Sequence, residues 1–562
     1  MRRPARNGDD VTRHSLRLML AAALSVALTT AAVADPAVLP ARIAKVAQQY
    51  ADAGVYPAMV VVMVDDGHAQ VAGFGKLADG RAPDGDTVFE IGSVTKTFTA
   101  LLLAREVEAK TLSLDTPVAM LLPDFKIPAR HGKPITLGLL AEQFSGLPRL
   151  PGNLQPADLG NPYADYGRDR LKTFLASYTL PRDPGAAYEY SNLGFGLLGE
   201  ALAQQAKLSY GELLQRAVLA PLGMDSSGTG LTPAMRARLA PGHDEQGQPA
   251  KHWQFGALGG AGALLSDGTD MLRYLQANMG LLTTPLAAAI ALTHQPRRDI
   301  GGGDRIGLAW MTHHTPHGDV IWHNGETGGY SSFIGFTRDG RRGVVILATA
   351  TGAPQDLGFA ALLPSAPLPV VHKAIVLSPA QLDAYVGQYT LAPGFALTVF
   401  RRAGQLFAQA TGQGAFPLFA SAPDAFFARV APITIDFERA ADGKVGALTL
   451  HQNGHDQHAP RTDSATATVG TSGVRLDPAL LHDYVGRYTL GAGAELAITV
   501  DHDQLYAQLT GQAAYPVYAK AKDHFFYTVV DAQLDFERDA AGRIHALVLH
   551  QNGHDLRAPR LP

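Results

Sequence analysis

The chain has 562 residues, of which 46% are hydrophobic and 17% are charged, which suits about two to four globular domains and excludes a disordered or fibrous protein. Its formal net charge of −4 excludes the strongly basic face that nucleic acids or anionic lipids require, so no nucleic-acid partner is expected. There is no cysteine, which excludes disulfides, thiolate metal sites and a cysteine nucleophile.

The first residues have the pattern of an export signal. Arg13 and Arg17 precede an apolar run over residues 18–31, and Ala32-Val33-Ala34 offers small residues for cleavage. An uncleaved anchor is the alternative, although the run is only marginally long for a bilayer. We therefore expect residues 1–34 to be a signal peptide, and the mature protein to be periplasmic or secreted without stable membrane insertion.

Residues 35–362 mix helical and strand patterns and are expected to form one domain. The clearest predicted helices are residues 40–53, 193–206 and 210–219. The predicted strands are residues 58–64, 70–75, 306–313, 320–323, 331–337 and 343–350. Strands at both ends with helices between them predict an α+β domain whose sheet is assembled from both ends of the segment.

A candidate nucleophile lies at the start of a predicted helix, in Ser93-Val94-Thr95-Lys96. Positions i and i+3 share a helix face, so the spacing places an amine against a hydroxyl. A serine hydroxyl needs an adjacent base, and a lysine serves as one only if its pKa falls from about 10.4 through burial or a neighbouring cation. On its own the motif is more typical of a helix-capping serine followed by a surface lysine.

Two further segments carry groups suited to acyl transfer. Tyr190-Ser191-Asn192 precedes a predicted helix, and a phenol near an ammonium can move a proton between nucleophile and leaving group. Residues 322–329 (WHNGETGG) lead from a strand into a glycine-rich stretch whose N–H groups suit an oxyanion hole. Alone, each has an ordinary alternative: a packing tyrosine with a capping asparagine, and a hairpin with an incidental histidine.

The end of the chain is a tandem duplication. Residues 385–391 (YVGQYTL) recur as 484–490 (YVGRYTL), and residues 450–456 (LHQNGHD) recur as 549–555, both with an offset of 99 positions. Each copy holds about eight short strand patterns separated by turn residues, which is the size of a small closed antiparallel barrel. The expected parts are a linker at 363–376, a first barrel at 377–461, a linker at 462–473 and a second barrel at 474–562.

Histidines flank the Asn-Gly turn of each copy, in the pairs His451/His455 and His550/His554. They are predicted to be polar turn residues, and metal ligation is the alternative. No metal site and no cofactor is implied.

In this order the three motifs resemble the serine β-lactamase and penicillin-binding-protein superfamily, in its class C-like branch. The stretches 91–98, 144–148, 184–192 and 328–332 look typical of that branch, and the resemblance covers roughly residues 38–355. It implies a class C β-lactamase-like domain in which Ser93 becomes acylated while Lys96 and Tyr190 handle its proton. Which of these two is the principal base stays open.

The resemblance also assigns the surrounding groups. It implies that Asn192, His323, Asn324 and Gly325 bind the substrate, and that the N–H groups of Ser93 and Glu326 hold the oxyanion. Class C β-lactamases carry Lys-Thr-Gly where this chain has His323-Asn324-Gly325, and a neutral histidine anchors a carboxylate less well than a lysine. His-x-Gly at this place is similar to D-aminopeptidases and β-lactamase-like esterases.

Two barrels behind such a domain resemble the D-stereospecific aminopeptidases, in which a barrel loop reaches the active site. By this analogy, a loop from residues 480–560 is expected to narrow the cleft, and the repeats are similar to lipocalin-like domains of related peptidases.

The expected function is a secreted serine hydrolase acting on small amides or peptides, including those with D-residues. The alternatives are a short-chain carboxylesterase, and a β-lactamase or penicillin-binding sensor with slow turnover. The partner is a small-molecule or peptide substrate, and the oligomeric state is open.

Overall fold

The structure is a computed structural model that describes residues 39–462 and 476–561. Short gaps within these ranges fall at 245–246, 317, 353, 393–394, 403, 412, 414, 430–432, 453–454, 492–493, 502–503, 510–514, 528–531 and 552–553. The predicted signal peptide and most of the second predicted linker lie outside the described residues. Within the described part, no helix is both long and apolar enough to cross a membrane.

One large antiparallel sheet joins the two ends of the front domain. The strands of this domain are β1 (Ala58–Asp65), β2 (His68–Gly75), β3 (Val88–Glu90), β4 (Ala129–Arg130), β5 (Lys133–Pro134), β6 (Leu265–Asp267), β7 (Arg298–Gly301), β8 (Asp304–Ile306), β9 (Met311–Thr315), β10 (Gly318–Glu326), β11 (Ser331–Thr337) and β12 (Arg342–Ala348). The large sheet has the order β2-β1-β12-β11-β10-β9-β8-β7, whereas β3 pairs with β6 and β4 with β5. The prediction that the sheet is assembled from both ends of the domain is confirmed.

Strand β1 is covered on both faces, which explains its unbroken apolar sequence. Its alternate residues enter two separate cores: Val60 and Val62 join the larger core, and Met59 and Val61 join the smaller one. The sheet is therefore the middle layer of the domain, with helices on each side.

The helices lie between the two groups of strands in sequence, apart from the first and the last. They are α1 (Ala41–Asp52), α2 (Thr95–Glu108), α3 (Val118–Leu121), α4 (Leu137–Ala141), α5 (Arg168–Ser177), α6 (Asn192–Ala206), α7 (Tyr210–Leu214), α8 (Ala220–Leu222), α9 (Pro233–Arg238), α10 (Gly259–Gly262), α11 (Gly268–Asn278), α12 (Ala287–Thr293) and α13 (Gln355–Leu362). Helices α1 and α13 contribute to the smaller core, and α2, α6 and α11 contribute to the larger one.

Two predicted elements are interrupted. The predicted strand at 306–313 is divided into β8 and β9, because Gly307 donates its N–H to the Trp310 carbonyl and Ala309 takes a φ of +66°. The predicted helix at 210–219 is α-helical only as far as Leu214 and then makes a π-helical turn over Gln215–Leu219. Apolar patterning cannot report either local change of backbone.

Two nearly closed eight-stranded antiparallel barrels follow the front domain, and the predicted class of fold is confirmed. Their elements are α14 (Pro379–Asp383), β13 (Gly387–Ala392), β14 (Phe395–Arg402), β15 (Gln405–Ala410), β16 (Phe416–Ala422), β17 (Ala425–Phe427), β18 (Ile433–Arg439), β19 (Val445–Gln452), β20 (His455–Pro460), α15 (Pro478–Tyr484), β21 (Gly486–Gly491), β22 (Ala494–Asp501), β23 (Gln504–Leu509), β24 (Tyr515–Ala521), β25 (His524–Tyr527), β26 (Ala532–Arg538), β27 (Ile544–Gln551) and β28 (His554–Pro559). Single bridges, Tyr389 to Arg461 and Tyr488 to Arg560, connect the first strand of each barrel with the end of its last strand. Closure of this kind leaves little exposed strand edge.

The first histidine of each predicted turn pair is bonded to carboxylates that lie far from it in sequence or across the turn. His451 lies 2.7 Å from Asp456 and 3.2 Å from Asp436, and the Asp456 hydrogen bond raises the His451 pKa. His550 makes the same pair of contacts with Asp555 and Asp535. The duplication therefore preserves a side-chain cluster as well as the strands.

A buried histidine in the front domain predicts how stability changes with pH. The His294 ring packs against Trp310 and Phe336 and donates from Nε2 to Asn278, and burial lowers its pKa to about 3. In the unfolded state the His294 ring therefore binds a proton near pH 6.5, whereas in the folded state it binds one only near pH 3. The stability due to neutral His294 is complete above pH 6.5 and is lost progressively as the pH falls.

We expect His294→Gln to reduce the slope of the unfolding free energy against pH by about 1.4 kcal/mol per pH unit between pH 6 and 4. Urea unfolding followed by tryptophan fluorescence measures it, because all three tryptophans (253, 310 and 322) lie in the front domain. The same substitution at exposed His68 is the control and should leave the slope unchanged. Equal slopes in wild type and His294→Gln would show that His294 is already charged in the folded protein.

Candidate active site

Ser93 lies in a 3₁₀ turn, Gly92–Val94, immediately before helix α2. Gly92 has a φ of +49°, and a Cβ at this position would lie 2.6 Å from the Glu326 backbone nitrogen. Only glycine meets both demands, because other residues are strained at positive φ and would push β10 away. The turn that presents Ser93 is therefore pressed against the end of β10.

Lys96 lies in the first turn of α2 and is completely buried. Its Nζ lies 2.9 Å from Ser93 Oγ, 2.7 Å from Asn192 Oδ1 and 2.8 Å from the Ala261 carbonyl oxygen. Burial, followed by the positive charge of Arg149, places the Lys96 pKa well below its ordinary value. The helical spacing that suggested Ser93 and Lys96 does bring their functional atoms together.

The three partners of Nζ fit a neutral amine. Two of them, Asn192 Oδ1 and the Ala261 carbonyl, only accept hydrogen bonds, so they take the two N–H groups of an uncharged amine. The third partner is Ser93 Oγ at 2.9 Å, and once the amine is neutral the Ser93 hydroxyl can donate to its lone pair. Lys96 is thus arranged to receive the Ser93 proton.

Tyr190 reaches the same point from the loop before α6. It lines the same cavity as Ser93, and the Lys96 Nζ lies 4.8 Å from its ring centroid. Burial is the main cause that raises the Tyr190 pKa, so the phenol keeps its proton at neutral pH.

The residues that follow Tyr190 do not fit the alternative in which Asn192 caps the helix. Ser191 caps α6: its Oγ accepts from Gly194 N–H at 2.8 Å and donates to the Pro148 carbonyl at 2.6 Å. Asn192 is therefore not the cap, and its side-chain oxygen accepts from Lys96 instead. The cap fixes the backbone at Ser191, which positions the residues on either side of it.

The end of β10 supplies the second wall of the site. Thr327 N–H donates to the Tyr330 carbonyl at the hairpin, so by antiparallel alternation the Glu326 N–H is directed away from β11. It faces the turn at 92–94, where the Gly92 Cα approaches the Glu326 backbone and the Gly325 Cα approaches the Ser93 nitrogen. This geometry brings the two predicted oxyanion donors, Ser93 N–H and Glu326 N–H, to one place.

His323 lies on the buried face of β10. It is 2% exposed, its Nδ1–H donates to the Asn324 carbonyl at 2.5 Å, and burial followed by the Lys96 charge lowers its pKa to about 3. It is not among the residues that line the cavity beside Ser93, whereas Asn192, Asn324 and Gly325 are. The segment His323-Asn324-Gly325 therefore contributes no positively charged side chain to that cavity.

The cavity beside Ser93 has a volume of about 370 Å³. Sequence reasoning missed Arg149 and the aromatic wall of Tyr163, Trp253 and Phe255, which line it as well. The Arg149 guanidinium lies 5.1 Å from the Tyr190 ring centroid, and its side chain is exposed. The available signal was adjacency, because Arg149 directly follows the stretch 144–148 that supported the family resemblance.

Comparison with known sequences gives two matches to family models. The one described as "Beta-lactamase" matches residues 43–363, and the one described as "Domain of unknown function (DUF3471)" matches residues 372–461 and 472–560. The D-alanyl-D-alanine-carboxypeptidase/endopeptidase AmpH of Escherichia coli (strain K12) is 26% identical over 355 residues, which cover 59% of this chain and 91% of that protein.

Solved structures give the same class of fold. A class C beta-lactamase matches 58% of this chain and 96% of its own, with a TM-score of 0.52 and 22% identity. The D-alanine carboxypeptidase AmpC from Burkholderia cenocepacia matches 57% of this chain and 97% of its own, with a TM-score of 0.50 and 24% identity. At these identities the similarity concerns the fold.

Because the turn at 92–94 contacts β10, a methyl group added at Gly92 should destabilise the protein by more than backbone strain alone. We expect Gly92→Ala to reduce the unfolding free energy by about 1–3 kcal/mol more than Gly80→Ala does. Gly80 also has positive φ, +83°, but a Cβ there meets nothing within 4 Å, so it reports backbone strain alone. Urea unfolding of both variants gives the difference, and equal losses would mean that the turn and β10 are not in close contact.

Proposed function

Because the chain belongs to the beta-lactamase family, a family of serine hydrolases, we propose that it is an exported hydrolase that forms an acyl-enzyme at Ser93. The proposed substrates are small amides and peptides, including those with D-residues. The observation that carries the proposal is the 2.9 Å contact between Ser93 Oγ and the buried Lys96 amine. The relative named as a D-alanyl-D-alanine carboxypeptidase/endopeptidase supports a peptide substrate, and the apolar run at 18–31 supports export.

The proposed acylation begins at the contact between Ser93 and Lys96. Ser93 transfers its proton to the Lys96 lone pair while Oγ attacks the substrate carbonyl carbon. The negative charge that develops on the carbonyl oxygen is held by the N–H groups of Ser93 and Glu326. Tyr190, whose pKa is raised, donates a proton to the departing amine or alkoxide as its bond to the acyl carbon breaks.

Deacylation restores the starting state. Water attacks the acyl carbon, loses a proton to the Lys96 and Tyr190 pair, and Ser93 Oγ leaves with a proton as the acid is released. The lowered Lys96 pKa and the raised Tyr190 pKa favour Lys96 as the base and Tyr190 as the acid during acylation. The pKa values of Lys96 and Tyr190 are shifted in opposite directions by their surroundings, a difference that the sequence alone does not give.

A short-chain carboxylesterase is the second candidate. The observation that favours it is the burial of neutral His323 at the position where class C β-lactamases carry a lysine. Without that cation, the segment His323-Asn324-Gly325 does not require a carboxylate on the substrate. An uncharged ester can then react with the same nucleophile and oxyanion donors.

The proposal predicts one nucleophile for every substrate. With a D-alanine 4-nitroanilide, a short-chain nitrophenyl ester and a cephalosporin, we expect turnover of the anilide or the ester and a loss of at least about 1,000-fold in kcat for Ser93→Ala. Exposed Ser177→Ala is the control and should retain full activity. Mass spectrometry should find a transient acyl adduct at Ser93. Undiminished turnover by Ser93→Ala would disprove the proposal, and a stable cephalosporin adduct without turnover would instead indicate a sensor.

The charge of Arg149 predicts a shift in the pH profile. Since Arg149 lowers the Lys96 pKa, Arg149→Gln raises it, and less neutral amine is present at a given pH. The acidic limb of kcat/KM for the uncharged ester should therefore move to higher pH, and the shift should shrink in 1 M salt because Arg149 is exposed. Arg149→Lys keeps the charge and should keep the limb in place. A profile that is identical in wild type and Arg149→Gln would assign the limb to another group.

A further inference from the structure

A second cavity, of about 240 Å³, lies between the front domain and the first barrel. The front domain contributes Asn324, Glu326 and Gly352 to its wall, and the barrel contributes Phe419 and Arg429. Asn324 and Glu326 also line the cavity beside Ser93. The two cavities therefore share a wall, which is the end of β10.

Arg429 brings a positive charge to the second cavity. Its Nε is buried without a hydrogen-bond acceptor, and no carboxylate of the described residues lies within 4.0 Å of its guanidinium. The guanidinium lies 4.1 Å from the Phe419 ring centroid, and burial lowers its pKa. A cation that has lost part of its hydration and has no anionic partner is prepared to bind one.

A row of aromatic rings packs beside Arg429. The His372 ring, in the linker, lies 5.1 Å from the Phe427 ring, which lies 5.7 Å from the Phe419 ring beneath the guanidinium. The linker is also bonded to the same barrel wall, because Ile375 N–H donates to the Ala420 carbonyl at 2.8 Å. Little side-chain entropy then remains to be lost when a ligand binds.

The duplication shows that the barrel fold does not need this arginine. The residues around it are kept in the second copy, where Pro417, Phe419 and Phe427 correspond to Pro516, Tyr518 and Phe526. Arg429 alone among these four corresponds to a different kind of residue, Thr528. The arginine is thus particular to the copy whose wall meets the front domain.

The other charges at the cavity limit what fits there. Two carboxylates also line it: Glu326 accepts from Gly352 N–H at 3.3 Å, and Asp244 accepts from Gln248 N–H at 2.8 Å. Their charge disfavours an anion of more than one unit, such as a phosphate. A single carboxylate can receive two parallel hydrogen bonds from a guanidinium and matches the cavity best.

We propose that Arg429 binds a carboxylate of the substrate whose acyl carbon lies at Ser93, so that the first barrel completes the substrate site. This inference rests on the proposed function. It assigns to a barrel residue the cation that the third motif lacks, since His323 is neutral and buried. The carboxylate belongs to the peptide either on the leaving-group side or on the acyl side of the scissile bond.

Binding to the inactive full-length Ser93→Ala protein tests this without turnover. Titration calorimetry compares three peptides on a D-alanyl-D-alanine core: N-acetyl with a free C-terminal carboxylate, N-succinyl with a C-terminal amide, and N-acetyl with a C-terminal amide. We expect one of the two charged peptides to bind about 10- to 100-fold more tightly than the neutral one. Which charged peptide does so identifies the side of the scissile bond.

The matched variant is Arg429→Thr in the Ser93→Ala background, which introduces the residue found in the second copy. It should remove the advantage of the charged peptide and leave the affinity for the neutral peptide unchanged. Arg402→Thr is the control, because Arg402 also lies over phenylalanine rings of this barrel but lines neither cavity. Equal affinities for all three peptides, or an advantage that survives Arg429→Thr, would overturn the inference.

The outcome is separable from that of the proposed function. Ester turnover that depends on Ser93, together with no charge preference in binding, rejects the role of Arg429 alone. A charge preference that disappears with Arg429→Thr, together with full ester turnover by Ser93→Ala, rejects the nucleophile alone.

Discussion

The burial of one amine sets the chemistry of this protein. Lys96 has no exposed surface, burial lowers its pKa, and its three polar neighbours are Ser93 Oγ, Asn192 Oδ1 and the Ala261 carbonyl. Each neighbour comes from a different part of the chain, so the α2, α6 and α10 segments must all be in place before the amine loses its proton. The packing of the larger core is therefore also a condition for reactivity.

The sheet connects this core with the substrate. Strand β10 presents Glu326 to the serine turn at its end, and the same end forms the wall between the two cavities. Gly92 and Gly325 allow the backbones of the serine turn and β10 to approach each other closely. The first barrel lies next to this end of β10, so that its Arg429 lines the same cavity as Asn324 and Glu326.

Sequence reasoning identified what depends on local spacing or on order along the chain. Ser93 and Lys96 share a helix face, the 99-residue offset aligned all the barrel strands, and strands at both ends of the front domain indicated the sheet. It missed Arg149 and Arg429, because their positions depend on contacts between distant segments that no periodicity records. It also treated His323 as a substrate contact at an exposed strand edge, whereas the alternation of β10 directs this ring inward.

The pairing of β1 with β12 has a consequence for biosynthesis. Ala58 and Thr349 are hydrogen-bonded although 291 positions separate them, and β1 is apolar on both faces. At roughly 5–20 residues per second, the ribosome needs about 15–60 s to deliver the partner of this strand. During that interval this apolar segment has no native neighbour on one side, so it is open to aggregation until the sheet closes.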